Sequence, residues 1–393
     1  MQKVKDINKD LLQYAGIELE NSSHNIVHDN EFYAIHWPDG SLRWLFKVDG
    51  FTPGFLAFYP AGTIRAKIRA FFMRLVGAFG FMGFFAKKIE GVSLLEDGVL
   101  AKSLKEYSCE TWALFAGTPG ADRKLVLAIK KGNIISKYIK VPISVQSQAL
   151  VNCEFQNIEK FRKLKLKTVI LPTASFFDHS VVISNVNKND TSISQLLNNI
   201  HIKGLSEVYK KSRSKLTLKS YIEHHLILKN FKSIEIEKPV DPRINVDKVK
   251  LIAKNAIRRI NELVLTYGNR NIYVSFAHRD FTPWNSLISK DSLIMFDLEL
   301  AKPNLSYGFD LFHFSYQTEL MQNRLLETKN TKNTKNHLIK MLKDISTDFR
   351  EDDFKMYSDL YFLYHISEYL LKYIRQPVVH KEVFNQIDSW LKL

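Results

Sequence analysis

Cysteine is nearly absent: the 393 residues hold two, Cys109 and Cys153. Two thiols so far apart make neither a disulfide framework nor a zinc site, and they fit a reducing compartment. No uninterrupted apolar run reaches the roughly 20 residues that a membrane-spanning helix needs. The most apolar stretch, Ala70 to Ala86, is shorter and carries Arg74 and the glycines Gly77, Gly80 and Gly83. The opening MQKVKDINKD is charged and has no apolar h-region, so no secretory signal is expected there and the expected location is cytoplasmic. Acidic residues are in deficit, 41 Asp and Glu against 56 Lys and Arg, for a net charge of +15. That balance disfavours a polycationic substrate and suits anionic partners such as phosphorylated molecules or anionic lipid; a solvated basic surface accounts for it equally well. No compact nucleic-acid module stands out, and no nucleic-acid partner is expected.

What is present is a core-forming composition, 45% hydrophobic, in a chain long enough for two or three domains. Its chemistry concentrates in His278-Arg279-Asp280-Phe281-Thr282-Pro283-Trp284-Asn285, followed by Ile294-Met295-Phe296-Asp297. Tyr273 to Ala277 reads as the strand delivering this loop. Asn285 to Ser289 and Ser292 to Phe296 read as two more strands about a turn at Lys290-Asp291. Asp280, Asn285 and Asp297 are then gathered at one end of a small sheet. Such a set suits phosphoryl transfer. Asp280 orients an attacking hydroxyl and takes its proton. Asn285 and Asp297 supply an amide oxygen and a carboxylate to Mg²⁺, a hard cation that takes oxygen ligands.

Residues 1–110 precede this chemistry. Phe32 to Trp37 and Arg43 to Val48 flank a hairpin turn at Pro38-Asp39-Gly40-Ser41. A helix opening near Pro60 runs into the apolar stretch, which Arg65, Lys67, Arg69, Lys87 and Lys88 frame. Two readings of residues 60–90 stand: a helix buried in its own domain, or a segment lying on an anionic bilayer surface.

From Thr111 the pattern turns to strands: TWALFAG, KLVLAIK and IISKYIKVPI, joined by glycine-containing turns. The turn with Gly117, Thr118 and Gly120 could cover nucleotide phosphates with backbone N–H groups, or serve only as a hairpin turn. A helix over about 147–164 places Val151, Phe155, Ile158 and Phe161 on one face, and Glu154 falls within that arc. A buried acid needs a partner. Lys140, in the strand before, is the candidate, and the pair would aim its ammonium at the α- and β-phosphates; otherwise Glu154 reaches solvent. Two further strands, 168–173 and 180–186, complete five. Ser184 and Val186 then fall in the hinge that would meet the nucleotide base. Residues 195–270 read as helical and basic, with the clearest helix over Val246 to Tyr267. Asp310 reads as a helix N-cap, or as an inward acceptor for N–H groups of the catalytic loop. Glu299 shares a strand face with Asp297 if that strand continues. His313 reads as structural, the TKN triplets of 328–336 as a loop, and about 337–348 and 354–392 as helices of ordinary core.

Lys140, Glu154 preceded by Asn152, His278-Arg279-Asp280, Asn285, Asp297 and Asp310 resemble the motifs of the aminoglycoside phosphotransferase and choline kinase group. HRDFTPWN with FDLELA and DLFHF looks most like members found with bacterial surface-polysaccharide genes. The likeness covers roughly 111–315. It implies an α+β, protein kinase-like bilobal fold: a five-stranded N-lobe sheet plus helix over 111–187, a mostly helical C-lobe over 188–393, and an additional N-terminal region. By the same likeness Asp280 is the catalytic base with His278 and Arg279 beside it, Asn285 and Asp297 hold Mg²⁺, and Lys140 with Glu154 anchors ATP. Arg279 departs from the small residue usual in small-molecule kinases. Leu298-Glu299 stands where protein kinases carry Phe-Gly, which speaks against protein phosphorylation. The strong basic charge differs from the acidic substrate surface of antibiotic kinases. The acceptor implied is a saccharide, glycolipid or lipid-linked saccharide. A nucleotide-binding pseudokinase scaffold and a protein kinase remain the alternatives.

Overall fold

The computed structural model describes residues 9–19, 31–59, 64–132, 134–184, 191–321 and 331–391. They fall into two compact units, one running to Lys160 and including Leu171–Ser192, the other comprising Phe161–Ile170 and the chain from Ile193.

The first unit is built on one eight-stranded sheet. Its central strands alternate between two apolar layers. Trp112 and Leu114 of the strand Thr111–Phe115 enter a core with Leu12, Leu45, Leu127 and Ile139, while Ala113 points the other way to Trp44, Phe46 and Phe55. A sheet covered on both faces needs continuous apolar runs, which is why TWALF and KLVLAI read as they do. Four of the five expected strands are present: Thr111–Phe115, Lys124–Lys131, Ile134–Pro142 and Ser180–Ser184. The strand expected over 168–173 is not in this sheet: Val169–Ile170 pairs with Ser292–Met295 instead, and Ala174–Phe177 takes the fifth place beside Ser180–Ser184. Three more extend the same sheet from the N-terminal region: Leu42–Phe46, Phe32–His36 and Lys87–Ile89. Leu42–Phe46 pairs directly with Thr111–Phe115, so residues read as lying outside the nucleotide lobe build part of its sheet. The hairpin turn is as expected. Asp39 Oδ1 accepts from Ser41 N at 2.9 Å and from Ser41 Oγ at 2.7 Å, and Gly40 takes a φ of 84°.

The second unit is mostly helical. Val246–Tyr267 buries Val249, Ile252, Ala253, Ala256, Ile260 and Leu263, and Asn245 caps it by accepting from Lys248 N at 3.0 Å. Asn271–Ala277 is the strand that delivers the candidate loop from His278 to Asn285, paired with Ser214–Thr217 and Lys302–Ser306. Beyond the loop, Ser286–Ser289 pairs with Ser292–Met295.

Three further expectations change. Ser214–Thr217 interrupts a region read as helical. A helix begins at Thr331, within the TKN triplets read as a loop. The expected helix over 354–392 is two, Phe354–Ile374 and Lys381–Trp390. Pro377 follows the first, where a proline cannot supply the N–H that a continuing helix requires. The buried carboxylate of Asp241 orders the connection, accepting from Val379 N at 2.9 Å and Arg243 Nη2 at 2.6 Å.

Two buried imidazoles carry a consequence for stability. His201 Nδ1 accepts from Asn198 N at 3.2 Å in the capping box of the helix Asn199–Ser212, and the ring packs on Phe281 and Phe314. His225 Nε2 donates to Asn304 O at 2.8 Å. Burial pushes each from about 6.5 down to about 4. The folded state therefore binds these protons more weakly than the unfolded chain. Their contribution is complete above pH 6.5 and is lost as the pH falls towards 4, worth up to about 3 kcal/mol for each ring. The urea midpoint should be level just above pH 6.5 and drop between 6.5 and 4; a flat midpoint across that range would show that these rings charge without cost.

Candidate active site

The loop from Ala277 to Asn285 is held by a carboxylate from another element. Asp310, in the first turn of the helix Phe309–Met321, accepts from His278 N at 2.8 Å and from Arg279 N at 2.9 Å. Of its two expected roles it takes the inward one, since the helix already begins at Phe309. Burial pushes the Asp310 carboxyl above its ordinary value, opposed by His278 and the two backbone N–H donors. Gly308, at φ 73°, turns the chain into this helix, and a Cβ there would meet Leu342 Cδ2 at 2.3 Å.

His278 and Arg279 are buried, at 0% and 7% exposure, whereas the Asp280 side chain is 33% exposed. Of the three, then, Asp280 is the one a substrate can meet. His278 Nε2 donates to Phe296 O at 2.9 Å, which ties the loop to the residue before Asp297. Arg279 adopts a φ of 71°. Its guanidinium donates to Leu300 O and to Glu368 Oε2, each at 3.2 Å, and lies over the Tyr364 ring at 5.0 Å. Asn285 Nδ2 donates to Asp280 Oδ2 at 2.7 Å and to Asp280 O at 3.0 Å. The amide nitrogen thus braces Asp280 and leaves the amide oxygen as the atom that could serve a cation. Asp297 sits at φ 64°, ψ 52°, and the next three residues form a 3-10 turn. The strand ends at Met295, so Glu299 does not share a strand face with Asp297. An amide oxygen and a half-buried carboxylate are hard donors of the kind Mg²⁺ takes, and the donor set fits that ion.

Sequence reasoning missed the flank of Asp280. His313, read as structural, is buried with Nε2 3.4 Å from Asp280 Oδ1, an ion-pair distance, and Nδ1 3.3 Å from the Tyr361 hydroxyl. Glu368, Tyr364, His365 and Tyr369 come from the helix Phe354–Ile374, read as ordinary core. Burial first, and the Asp280 charge second, push the Tyr369 phenol up. Burial, with His313 and Arg279 adding to it, pushes His365 well below its ordinary value. Both therefore stay neutral. The signal was available: Tyr361, His365 and Glu368 recur at spacings of four and three, a polar stripe where a core helix would carry aliphatic residues.

In the first unit the expected ion pair is formed. Lys140 Nζ lies 2.7 Å from Glu154, which is fully buried, while Val151 packs on Val181 and Ile183. Gly117 has a φ of 69°, and a Cβ there would meet Lys124 O at 2.4 Å. Trp37 Nε1 donates to Gly117 O at 3.3 Å and Arg123 Nε to Ala116 O at 2.6 Å, so the turn is braced from two sides. Thr118 and Gly120 in that turn are exposed. Ser184 ends its strand, its hydroxyl accepting from Thr173 N at 2.8 Å. Val186 lies outside the described residues.

No protein-family model matches the chain, and no curated protein matches it. Solved structures do. An ADP-bound aminoglycoside phosphotransferase, APH(2'')-Ib, is similar at 11% identity, with 76% of this chain and 97% of that one covered and a TM-score of 0.47. The choline kinase of Streptococcus pneumoniae is similar at 13% identity, coverage of 75% and 98%, and a TM-score of 0.45. An ethanolamine kinase of Plasmodium vivax is similar at 14% identity, coverage of 74% and 82%, and a TM-score of 0.48. The chain is α+β. A sheet unit with a buried Lys–Glu pair and a helical unit with a carboxylate-held H-R-D-x-x-x-x-N loop are its two parts.

Asp310→Ala should destabilise the protein measurably, because it orphans two buried backbone donors at about 1–3 kcal/mol each. Urea unfolding measures it. A midpoint equal to that of the wild type would mean that the loop is held by other contacts.

Proposed function

We propose that the chain is a phosphotransferase, dependent on ATP and Mg²⁺, that acts on an alcohol group of a saccharide, glycolipid or lipid-linked saccharide. We further assign it to bacterial surface-polysaccharide metabolism, in the cytoplasm and peripherally at the inner face of the cell membrane. One observation carries the reading: Asp280 is the partly exposed carboxylate of a loop in which its neighbours His278, Arg279 and Phe281 are buried, and Asn285 braces it at 2.7 Å. Asp280 orients the acceptor hydroxyl and takes its proton as the oxygen bonds to the γ-phosphorus and the bond to the departing ADP oxygen breaks. His278 and Arg279 hold the loop. Asn285 and Asp297 are the residues that would hold Mg²⁺, whose chemistry when bound is to neutralise phosphate charge. Lys140, oriented by Glu154, steadies the phosphates. The turn of Gly117, Thr118 and Gly120 covers them, and Ser184 and Val186 belong to the strand end and hinge that meet the base.

Every position the chemistry needs carries a competent side chain, which weighs against a pseudokinase scaffold. The Leu298-Glu299 turn after Asp297 weighs against a protein kinase. The neutral Tyr369 phenol, which feels the Asp280 charge, suits an uncharged hydroxylated acceptor, which an aromatic side chain meets with a ring face and a polar tip.

Two measurements test this. Asp280→Asn should lower transfer by roughly 10²–10⁴ and leave nucleotide affinity close to wild type; near wild-type turnover would remove Asp280 from the mechanism. Asp297→Ala should abolish the gain in ATP affinity that Mg²⁺ gives the wild type. If titration with and without the ion still shows that gain, the metal is held elsewhere.

A further inference from the structure

The helix Ile64–Ala78 and the 3-10 turn Phe81–Phe84 do not bury the apolar run they contain. Few of its side chains face inward: Ala70, Val76, Met82 and Ala86 are buried, and Gly77 lets the helix approach Pro53 and Val48, whose atoms a Cβ there would meet at 3.2 and 3.3 Å. Phe71, Phe72, Phe79, Phe81, Phe84 and Phe85 are exposed by 50% or more, Phe84 by 85%. They are contiguous: Phe72 and Phe85 meet edge to face at 5.9 Å, and Phe81 lies between Phe79 and Phe84 at 6.5 and 6.1 Å. The buried-helix reading of this run is therefore overturned for most of its aromatic residues. A protein rarely exposes so large an apolar patch without a partner.

Charge says which partner. From Gly50 to Ile89 the sequence holds no Asp or Glu. Arg65, Lys67, Arg69 and Arg74 are exposed on the same helix and form no ion pair with any described residue. Lys88 is partnered, by Glu31 at 2.5 Å and Glu90 at 3.7 Å, so it is left out of the count. Among the described residues no helix is long and apolar enough to cross a membrane. Exposed phenylalanines ringed by cations, too short to span, match an interfacial element: the rings enter the acyl boundary while arginine and lysine meet anionic headgroups.

We infer that residues 64–88 form a membrane-surface anchor for anionic bilayers, with Phe79, Phe81 and Phe84 as its inserting tip and Arg65, Lys67, Arg69 and Arg74 as its headgroup contacts. This deepens the peripheral location given above and rests on that part of the reading alone; no step of phosphoryl transfer enters it.

The full-length protein is floated with vesicles of phosphatidylcholine and with vesicles in which phosphatidylglycerol replaces part of it, without nucleotide. Binding should be strong to the anionic vesicles, weak to the neutral ones, and reduced by salt. The indole emission of a Phe84→Trp variant should shift to the blue on the anionic vesicles and be quenched by brominated acyl chains. Phe81→Ser with Phe84→Ser, and separately Arg65→Glu with Lys67→Glu and Arg69→Glu, should each lower vesicle affinity at least tenfold while the circular dichroism and urea midpoint stay those of the wild type. Protein that stays unbound to both vesicle types overturns the inference. So does anionic binding in which the indole of the Phe84→Trp variant is neither shifted nor quenched, since the rings then do not insert. Sedimentation as a dimer that the Phe81→Ser, Phe84→Ser pair dissolves overturns it as well, because a second copy then covers the patch. Failure of phosphotransfer alone leaves vesicle binding intact and is thereby distinguished.

Discussion

One buried carboxylate organises the candidate catalytic loop. Asp310 accepts the N–H groups of two consecutive residues, His278 and Arg279, and so dictates the turn between them. The second of those residues lies in the left-handed region, a conformation that costs a side-chain-bearing residue about 1–3 kcal/mol and persists only when its surroundings over-determine it. Here they do. His278 is tied to Phe296 O, and Arg279 to Leu300 O, Glu368 and the face of Tyr364. With both neighbours held, Asp280 follows at a place in the loop open to solvent, and Asn285 closes on it. The rigidity of the loop and the exposure of its carboxylate thus have the same origin.

Stability is given up in other places too. Lys140 and Glu154 are buried as an ion pair, and a buried pair seldom repays the desolvation of both charges. A well-packed aliphatic pair in the same volume would do as well for folding. The exposed phenylalanines of residues 71–85 forgo their burial free energy in the same sense. Departures of this kind from what folding alone favours tend to collect where a protein binds or reacts.

The loop motif, the strand that delivers it, the Lys140–Glu154 pairing and the buried face of Val246–Tyr267 were all legible in the sequence. Each rests on a local period or spacing: two for a strand, 3.6 for a helix, five residues between Asp280 and Asn285. An acid inside an apolar helical arc announces a partner wherever that partner comes from. His313 was not legible in this way, and the polar stripe that holds Glu368 marked a face without its partner. Each acts on a loop residue from a helix far along the chain, and no period in the sequence reports a contact at that separation.

What the sequence determined by itself is therefore the chemistry on offer: a carboxylate, an amide and a second carboxylate at fixed intervals, a lysine with a buried acid, and a basic surface without cysteine chemistry. Tertiary structure alone decided three things. Asp310 faces inward, because the helix behind it starts two residues earlier than its capping role requires. The N-terminal strands join the main sheet, because Leu42–Phe46 finds its hydrogen-bonding edge on Thr111–Phe115. The phenylalanines of 71–85 face solvent, because the sheet beneath meets only the narrow Ala70–Val76–Gly77 side of their helix. Which of several apolar sides is buried depends on the surface the helix lands on, and phenylalanines spread around it carry no mark of that choice.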